Sequence, residues 1–469
     1  MRPMNLEPNQ RLFDLVTQYE MMSQKGTVAY LEEKEFIELV DYYVREYLIE
    51  RAHEVVEDGL QLHPYSVELK QRKAQVLLDF QCPEDAIETL DEAINLNPGM
   101  LDLHLTKVEA LVSLNLHCEA LSHLDELKNQ FSSPEELSNI YVSESIVHEN
   151  LGEHEQMFYA LKAALQEFPR NNNALDKMML CVELSKKFEE SIALHEEILD
   201  IDPYSHLAWY NLGYALQYLN QYERSIEAYE FAFVINERFE FAYRDCAEVC
   251  FIIRDYKKAL KCYQEVLDHF EPDADLFMKV GQCYQYLKQY AIARNFYNKA
   301  LRMEPHNDEA LFHIGECFAA EEKWNKAVKW YCKAIQLDER REEYYAGLGE
   351  AYYRLKDYDK AASFFREAAD IAPEESRYWI QFATFLMETG HLEEALEVLE
   401  EAEDYAVGAE LQYCKVACLF ALGQRQEALL LFSEALDEDF EMHDALFDLA
   451  PHLEFDSEVN ALISTFSTE

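Results

Sequence analysis

Hydrophobic residues recur along most of the chain with the 3.6-residue period of an amphipathic helix. They fall into segments of about 14 residues, which short polar stretches such as 219–221 and 355–357 join in pairs. Two helices joined by so short a turn pack antiparallel against each other. The pattern therefore predicts a series of helical hairpins.

A second pattern, of small residues, returns at multiples of 34 residues. Because helix axes approach to about 8 Å only where one side chain is small, we expect these positions at helix crossings. Ala334 and Ala368 should accordingly be buried. The sets are Gly213, Ser225 and Ala232; Gly281, Ala293 and Ala300; Gly315, Ala327 and Ala334; and Gly349, Ala361 and Ala368.

The unit that starts at 206 resembles the tetratricopeptide repeat, whose pattern is W-x2-L-G-x2-Y followed by A-x3-F-x2-A-x4-P. The matching residues are Trp209, Leu212, Gly213, Leu216, Tyr222, Ser225, Tyr229 and Ala232. Leucine replaces the tyrosine of the pattern, and serine replaces its first alanine. The closing proline is absent from this unit, but six others have it: Pro64, Pro98, Pro169, Pro203, Pro305 and Pro373.

The 34-residue frame places unit starts near 33, 67, 101, 138, 172, 206, 240, 274, 308, 342, 376 and 409. The resemblance implies an all-α fold, the α-α superhelix of a tetratricopeptide-repeat solenoid, with about 26 helices and no sheet. We expect a capping helix in 1–32, about twelve repeats in 33–442, and a half-repeat with a closing helix in 443–469. The 12 glycines and 12 prolines are too few for a turn-rich β fold, which agrees with that expectation.

The formal net charge of -50 restricts the kinds of partner. It repels nucleic-acid phosphates and anionic lipid, so we predict no nucleic-acid partner, and a protein partner that is neutral or basic rather than acidic. The N-terminal segment has no apolar run behind a basic start, and no stretch of about 18 apolar residues occurs. The 11 cysteines are an odd number spread from Cys82 to Cys418, which favours reduced thiols. We expect a soluble cytoplasmic protein without membrane insertion.

No motif predicts catalysis, a metal or a cofactor. Gly347 and Gly349 fall inside a predicted helix and lack the third glycine of a phosphate-binding loop. Cys246, Cys250 and Cys262 give the sharpest metal hypothesis, but two of them occupy core positions of the repeat, where cysteine packs as a small hydrophobe. We therefore predict a protein that is not an enzyme, with no catalytic residue and no metal site.

The first helix of the unit from 206 carries a second stripe, formed by three tyrosines, about 100° away from its core stripe. The resemblance implies that this face lines a concave groove, and aromatic, Met and Arg side chains are enriched where proteins bind. The alternative is that the face packs within the protein itself. The predicted groove residues are Tyr210, Tyr214, Tyr218, Phe241, Arg244, Phe251, Met278, Gln282, Tyr286 and Phe312.

A cluster of lysines on the second helices departs from the acidic character of the chain. A solvated face is the ordinary explanation, and self-association by charge complementarity is the alternative. The lysines are Lys257, Lys258, Lys261, Lys326, Lys329 and Lys333.

The leading hypothesis is a non-enzymatic scaffold or adaptor that binds a peptide or helix of a partner protein in its groove. Some tetratricopeptide domains hold a C-terminal carboxylate with a clamp of Lys and Asn. Asn211 matches one clamp position, but Asp176 and Asp245 stand where basic residues are needed, so we do not expect that clamp. The alternatives are an enzyme-associated array and an RNA-binding helical array; the second would require Lys and Arg along the groove.

Overall fold

The computed structural model describes residues 8–23 and 30–466, and within them every regular element is helical. The chain divides into two compact units, Met1–Ala242 and Tyr243–Glu469, so the division lies near the start of the helix Glu240–Ile252. Residues 1–7, 24–29 and 467–469, which belong to the predicted terminal segments 1–32 and 443–469, lie outside the described residues.

The helices of unit 1 form hairpins after one leading helix. They are α1 (Pro8–Ser23), α2 (Glu33–Arg45), α3 (Ile49–Leu62), α4 (Val67–Asp79), α5 (Pro83–Leu96), α6 (Leu101–Ser113), α7 (His117–Gln130), α8 (Pro134–Leu151), α9 (His154–Glu167), α10 (Asn172–Ser185), α11 (Phe188–Ile201), α12 (His206–Tyr218) and α13 (Tyr222–Ile235).

Unit 2 continues the same alternation and ends in shorter helices. It contains α14 (Glu240–Ile252), α15 (Tyr256–His269), α16 (Ala274–Tyr286), α17 (Tyr290–Met303), α18 (Asp308–Ala320), α19 (Trp324–Leu337), α20 (Glu342–Arg354), α21 (Tyr358–Ile371), α22 (Ser376–Thr389), α23 (Leu392–Ala402), α24 (Ala409–Ala421), α25 (Arg425–Glu438), α26 (Asp444–Leu449) and α27 (Ser457–Phe466), with 3-10 turns at Phe440–His443 and Pro451–Phe455. We call the first helix of each hairpin helix A and the second helix B.

Helix A begins at the predicted residue in eleven of the twelve units, for example at Val67 and Ser376. The start predicted at 138 is wrong, because α8 begins at Pro134. Proline suits the first helical turn, where its missing N–H is not needed, and α8 then runs to the left-handed Gly152.

The small residues lie at helix crossings, as predicted, and the glycines among them face an aromatic ring. A side chain at Gly281 would come within 2.5 Å of the Tyr297 ring, which belongs to the partner helix of the same hairpin. The same relation joins Gly213 to Tyr229, Gly315 to Tyr331 and Gly349 to Phe365. Gly213 also contacts Ser225, whose hydroxyl donates a hydrogen bond of 2.7 Å to the glycine carbonyl. The glycines therefore accommodate an aromatic ring from helix B, and Ala334 and Ala368 are buried as predicted.

Successive hairpins are joined by one recurring hydrogen bond. The indole N–H of Trp209 donates to the carbonyl of Pro203 at 2.9 Å, and that of Trp379 donates to the carbonyl of Pro373 at 2.8 Å. His104, which replaces the aromatic residue in its unit, makes the equivalent contact with the Pro98 carbonyl at 3.1 Å. Three of the closing prolines, Pro98, Pro203 and Pro373, thus follow the end of a helix B and also supply an acceptor for the next helix A.

Candidate functional site

Of the ten predicted groove residues, four lie in unit 1 and six in unit 2. Phe241, Tyr286 and Tyr218 are the most accessible, with 64%, 55% and 43% of their surface exposed. Tyr214, Arg244, Phe251, Gln282 and Phe312 are half-buried. Tyr210 and Met278 are buried, with 7% and 6% exposed.

The expectation that Tyr210 lies outside the core is wrong. Its ring packs 4.9 Å from the ring of Phe239, and its hydroxyl points to the Met179 sulfur at 3.4 Å. Met179 lies on α10, so the helix A of one repeat covers this face of the next. Met278 is buried for a comparable reason, since it belongs to the core around Tyr297.

Two tyrosines of α12 form a polar aromatic cluster in unit 1. The Tyr214 hydroxyl donates to Glu183 at 2.9 Å and lies 3.3 Å from the Tyr218 hydroxyl. Burial, the hydrogen bond with Tyr218 and the nearby Glu183 carboxylate raise the pKa of Tyr214, so its phenol stays protonated. The Tyr218 ring stacks on Phe188 at 4.6 Å, an aromatic partner that the sequence analysis did not identify.

An equivalent stack occurs in unit 2. Tyr286 stacks on Tyr256 at 4.6 Å with the planes 8° apart, and Phe251 meets both rings edge-on. Tyr256 and Phe188 are each the first residue of a helix B, and each stacks on the tyrosine that ends the following helix A. The 34-residue frame could have revealed this pairing, since both positions repeat two units apart.

The polar residues predicted for the groove already have partners in the protein. Arg244 pairs with Asp273 at 3.0 Å. Gln282 is hydrogen-bonded to His313 at 3.3 Å, and His313 in turn to Glu316 at 2.9 Å. Asn211, the clamp-like residue, donates to the Leu175 carbonyl at 2.8 Å and is buried, so its amide serves the scaffold.

A depression with a volume of about 570 Å³ lies in unit 2. We call it the helix A groove, because α18, α20 and α22 supply most of its wall. Only Phe312 was predicted to line it. The other residues that matter are aromatic, Tyr331, Tyr353, Phe365 and Phe385, or charged, Glu316, Glu343, Glu350, Glu388, Arg354 and Arg377.

Carboxylates dominate the electrostatics of the helix A groove. Burial would raise the pKa of Glu316, but the hydrogen bond and charge of His313, together with Gln285, hold it below its ordinary value. Glu388 accepts a hydrogen bond of 2.7 Å from the Tyr353 hydroxyl, and Glu350 pairs with Arg354 at 2.6 Å. The lining contains four carboxylates and two guanidinium groups, so its net charge is negative. The groove is therefore suited to a cationic ligand.

A small apolar pocket of about 170 Å³ adjoins Tyr210 and Phe241 in unit 1. Met179 and Leu207 line it together with Asp176, whose pKa is raised by burial. The pocket would hold one apolar side chain.

The cysteines singled out as a metal hypothesis are buried. The Cys262 and Cys246 sulfurs lie 3.9 Å apart, and every cysteine of the described residues is a free thiol. Within residues 8–23 and 30–466, no group of three His, Cys, Asp or Glu residues is arranged to hold a metal ion. None of the helices in these residues combines the length and the apolar composition that a membrane span requires.

Three family profiles match parts of the chain. Two are tetratricopeptide-repeat profiles, at residues 206–234 and 281–342. The third, described as anaphase-promoting complex, cyclosome, subunit 3, matches residues 320–402. No curated protein sequence matches significantly.

Similar solved structures share little sequence with the chain. YrrB, described as a TPR protein with an unusual peptide-binding site, is 21% identical over 39% of this chain and 95% of its own, with a TM-score of 0.34. MamA is 16% identical over 36% of this chain and 98% of its own, with a TM-score of 0.33. A chain of the APC/C hetero-tetramer Cut9-Hcn1 is 14% identical over 97% of this chain and 96% of its own, with a TM-score of 0.36.

The tandem hairpins, the glycine–ring crossings and the recurring proline contacts define an all-α helical-repeat protein. The matched profiles name the repeat. The chain is a tetratricopeptide-repeat protein, with the fold of an α-α superhelix. This is the fold of a protein–protein interaction scaffold.

Proposed function

We propose that the chain is a non-enzymatic cytoplasmic scaffold that holds a neutral or basic peptide segment, or a helix, of a partner protein in the helix A groove. The observation that carries the proposal is that aromatic side chains and four carboxylates together line this groove in unit 2. Aromatic side chains supply binding energy, and the carboxylates select positive charge. They also disfavour the alternative of an RNA-binding array, whose groove needs cations.

Several predicted residues act around this groove under the proposal. Phe312 is one of the residues that line it. Gln282 positions His313, which holds Glu316 ionised at the edge. The stack of Tyr286 on Tyr256, with the adjacent Phe251, offers a further apolar contact in the same unit. Tyr214 and Tyr218 form a separate contact surface in unit 1, and Phe241 lines the small apolar pocket of that unit.

The test measures how full-length protein binds peptides of matched length that are Lys/Arg-rich, neutral or acidic. We expect the basic peptides to bind best. Truncating Tyr353 to Ala should lower their affinity by about 1–3 kcal/mol, because an aromatic anchor of the groove is lost. Tyr405, which is exposed and stacks on Trp379, gives a matched control outside the groove lining.

Two results would reject the groove proposal. One is a preference for acidic peptides. The other is unchanged binding of the basic peptides after Tyr353→Ala together with Glu343→Gln and Glu388→Gln. Thermal unfolding of each variant establishes that the comparison is made on folded protein.

We also propose self-association through the lysines of the helix B faces. Lys257, Lys261, Lys326, Lys329 and Lys333 are exposed, and the ion pairs found in the described residues include none of them. Lys258 is half-buried beside them. Carboxylates outnumber cations by 91 to 41 in the chain, so the five exposed lysines favour a complementary surface on another molecule.

A further inference from the structure

The helix B faces of unit 2 change sign along the chain. The helices α17 and α19 each carry three cations and no carboxylate. The helix α23 carries five carboxylates and no cation, and α25 carries four carboxylates with one arginine. The helix α21, which lies between these two groups, has both signs. The surface of α17 and α19 is therefore the electrostatic complement of the surface of α23 and α25.

The charged groups of both regions are available to another molecule. Lys326, Lys329 and Lys333 are exposed on α19, and Glu393, Glu397 and Glu400 are exposed on α23. None of the ion pairs found in the described residues includes any of these six side chains. The one carboxylate of α23 with a strong partner is Glu401, which accepts two hydrogen bonds from Arg366 of α21.

The spacing of the two sets matches. Lys326 to Lys333 and Glu393 to Glu400 both span seven residues, which is about 10 Å along a helix. Both sets lie within one side of their helix, because steps of three, four and seven residues return to nearly the same azimuth. An antiparallel pairing of α19 with α23 would bring all three lysines opposite glutamates.

We propose that a second copy of this chain is the occupant of this surface, in a twofold dimer whose axis passes through α21. The proposal rests on the self-association proposed above and names the complementary face. The helices α19 and α23 belong to the repeats directly before and after that of α21. A twofold axis at α21 therefore places α19 of each copy opposite α23 of the other, and α17 opposite α25.

The aromatic and small residues of this surface fit such a contact. The Lys333 ammonium lies over the Trp330 ring, 4.0 Å from its centre, and this cation–π contact holds the exposed lysine on the surface of α19. On α21, Ser363 is exposed and Ala362 half-buried, and side chains this small let two helices approach closely at the axis.

The net charge of -50 opposes association at long range. At about 150 mM salt the screening length is about 8 Å, so repulsion between distant charges is weak while contacting pairs retain their attraction. We therefore expect the dimer under these conditions.

The test is sedimentation of the full chain with charge-reversed variants at that salt concentration. Reversing the three α19 lysines to Glu, or the three α23 glutamates to Lys, should raise the dimer dissociation constant at least about tenfold, because like charges then face each other. Combining both reversals in one chain should restore the dimer. A control with Lys34→Glu, Lys162→Glu and Arg238→Glu makes the same change in net charge within unit 1 and should leave the dimer intact.

Each outcome decides a separate point. A wild-type chain that sediments as a monomer, or a dimer that survives both single reversals, overturns the dimer and the self-association together. Loss of the dimer without restoration by the combined reversals overturns the pairing with α23 but leaves the lysines as a contact surface. Circular dichroism of each variant confirms folding, and peptide binding to the helix A groove is measured on the same samples as an independent readout.

Discussion

The helix A stripe of α12 in unit 1 and the helix A groove of unit 2 occupy equivalent faces of the repeat, yet they differ in accessibility. In α12 the tyrosines of the stripe contact other parts of the protein, since the Tyr210 ring packs against Phe239 and the Tyr214 hydroxyl is hydrogen-bonded to Glu183. Around α20 the same face opens into a groove of about 570 Å³. Azimuth on a helix therefore does not decide whether a residue can bind a partner. The side chains of the neighbouring helix A decide it.

The largest effect that we expect in this comparison is the loss of stability on truncating Tyr210. Its truncation to Ala should lower the free energy of unfolding by about 3–5 kcal/mol, because a buried ring is replaced by a cavity. Chemical denaturation measures the change. Tyr353→Ala in the groove is the matched substitution and should cost much less, so equal losses at the two sites would show that the groove is also core.

The second difference between the units is a buried histidine. His195 of unit 1 stands at the repeat position of Tyr297 and Tyr331 in unit 2. Burial lowers its pKa to about 4, although the Ser191 carbonyl accepts a hydrogen bond from Nδ1, and Nε2 has no partner. The unfolded chain, with a histidine pKa of about 6.5, binds a proton that the folded chain excludes.

The stability that His195 contributes is therefore complete above about pH 6.5 and is lost as the pH falls toward 4. Between pH 7 and 5 the loss should be about 2 kcal/mol, measured as the free energy of unfolding. His195→Phe should remove this part of the pH dependence. If the variant and the wild type lost stability in parallel over that range, His195 would not be the group responsible.

The smallest expected effect concerns the turns between helix A and helix B. Lys288 adopts a left-handed conformation with φ 60°, as do eight other non-glycine residues at such turns in the described chain. Lys288→Gly should stabilise the protein by roughly 0.5–1 kcal/mol, because glycine accepts positive φ without steric cost. Gly390→Ala, at the equivalent turn with φ 86°, should destabilise it, and thermal unfolding compares the two.

The repeat frame was predictable because it depends on local properties. Helix periodicity, small residues and prolines placed eleven of twelve helix A starts, and the exception at Pro134 arose where the serine–proline start of α8 was not recognised. The candidate binding site was less predictable than the repeat frame. The burial of Tyr210 depends on Met179, which lies 31 residues away, and the groove depends on how α18, α20 and α22 are spaced. Neither relation can be deduced from the amphipathicity of one helix.

The glycine–ring crossings also bear on how such a chain can evolve. Gly281 and Tyr297 belong to one hairpin, and the ring of Tyr297 occupies the space that a side chain at position 281 would need. Duplication or loss of a 34-residue segment carries both members together, whereas a point mutation at the glycine changes one of them alone. The chain can therefore gain or lose whole hairpins more readily than it can alter the crossing within one.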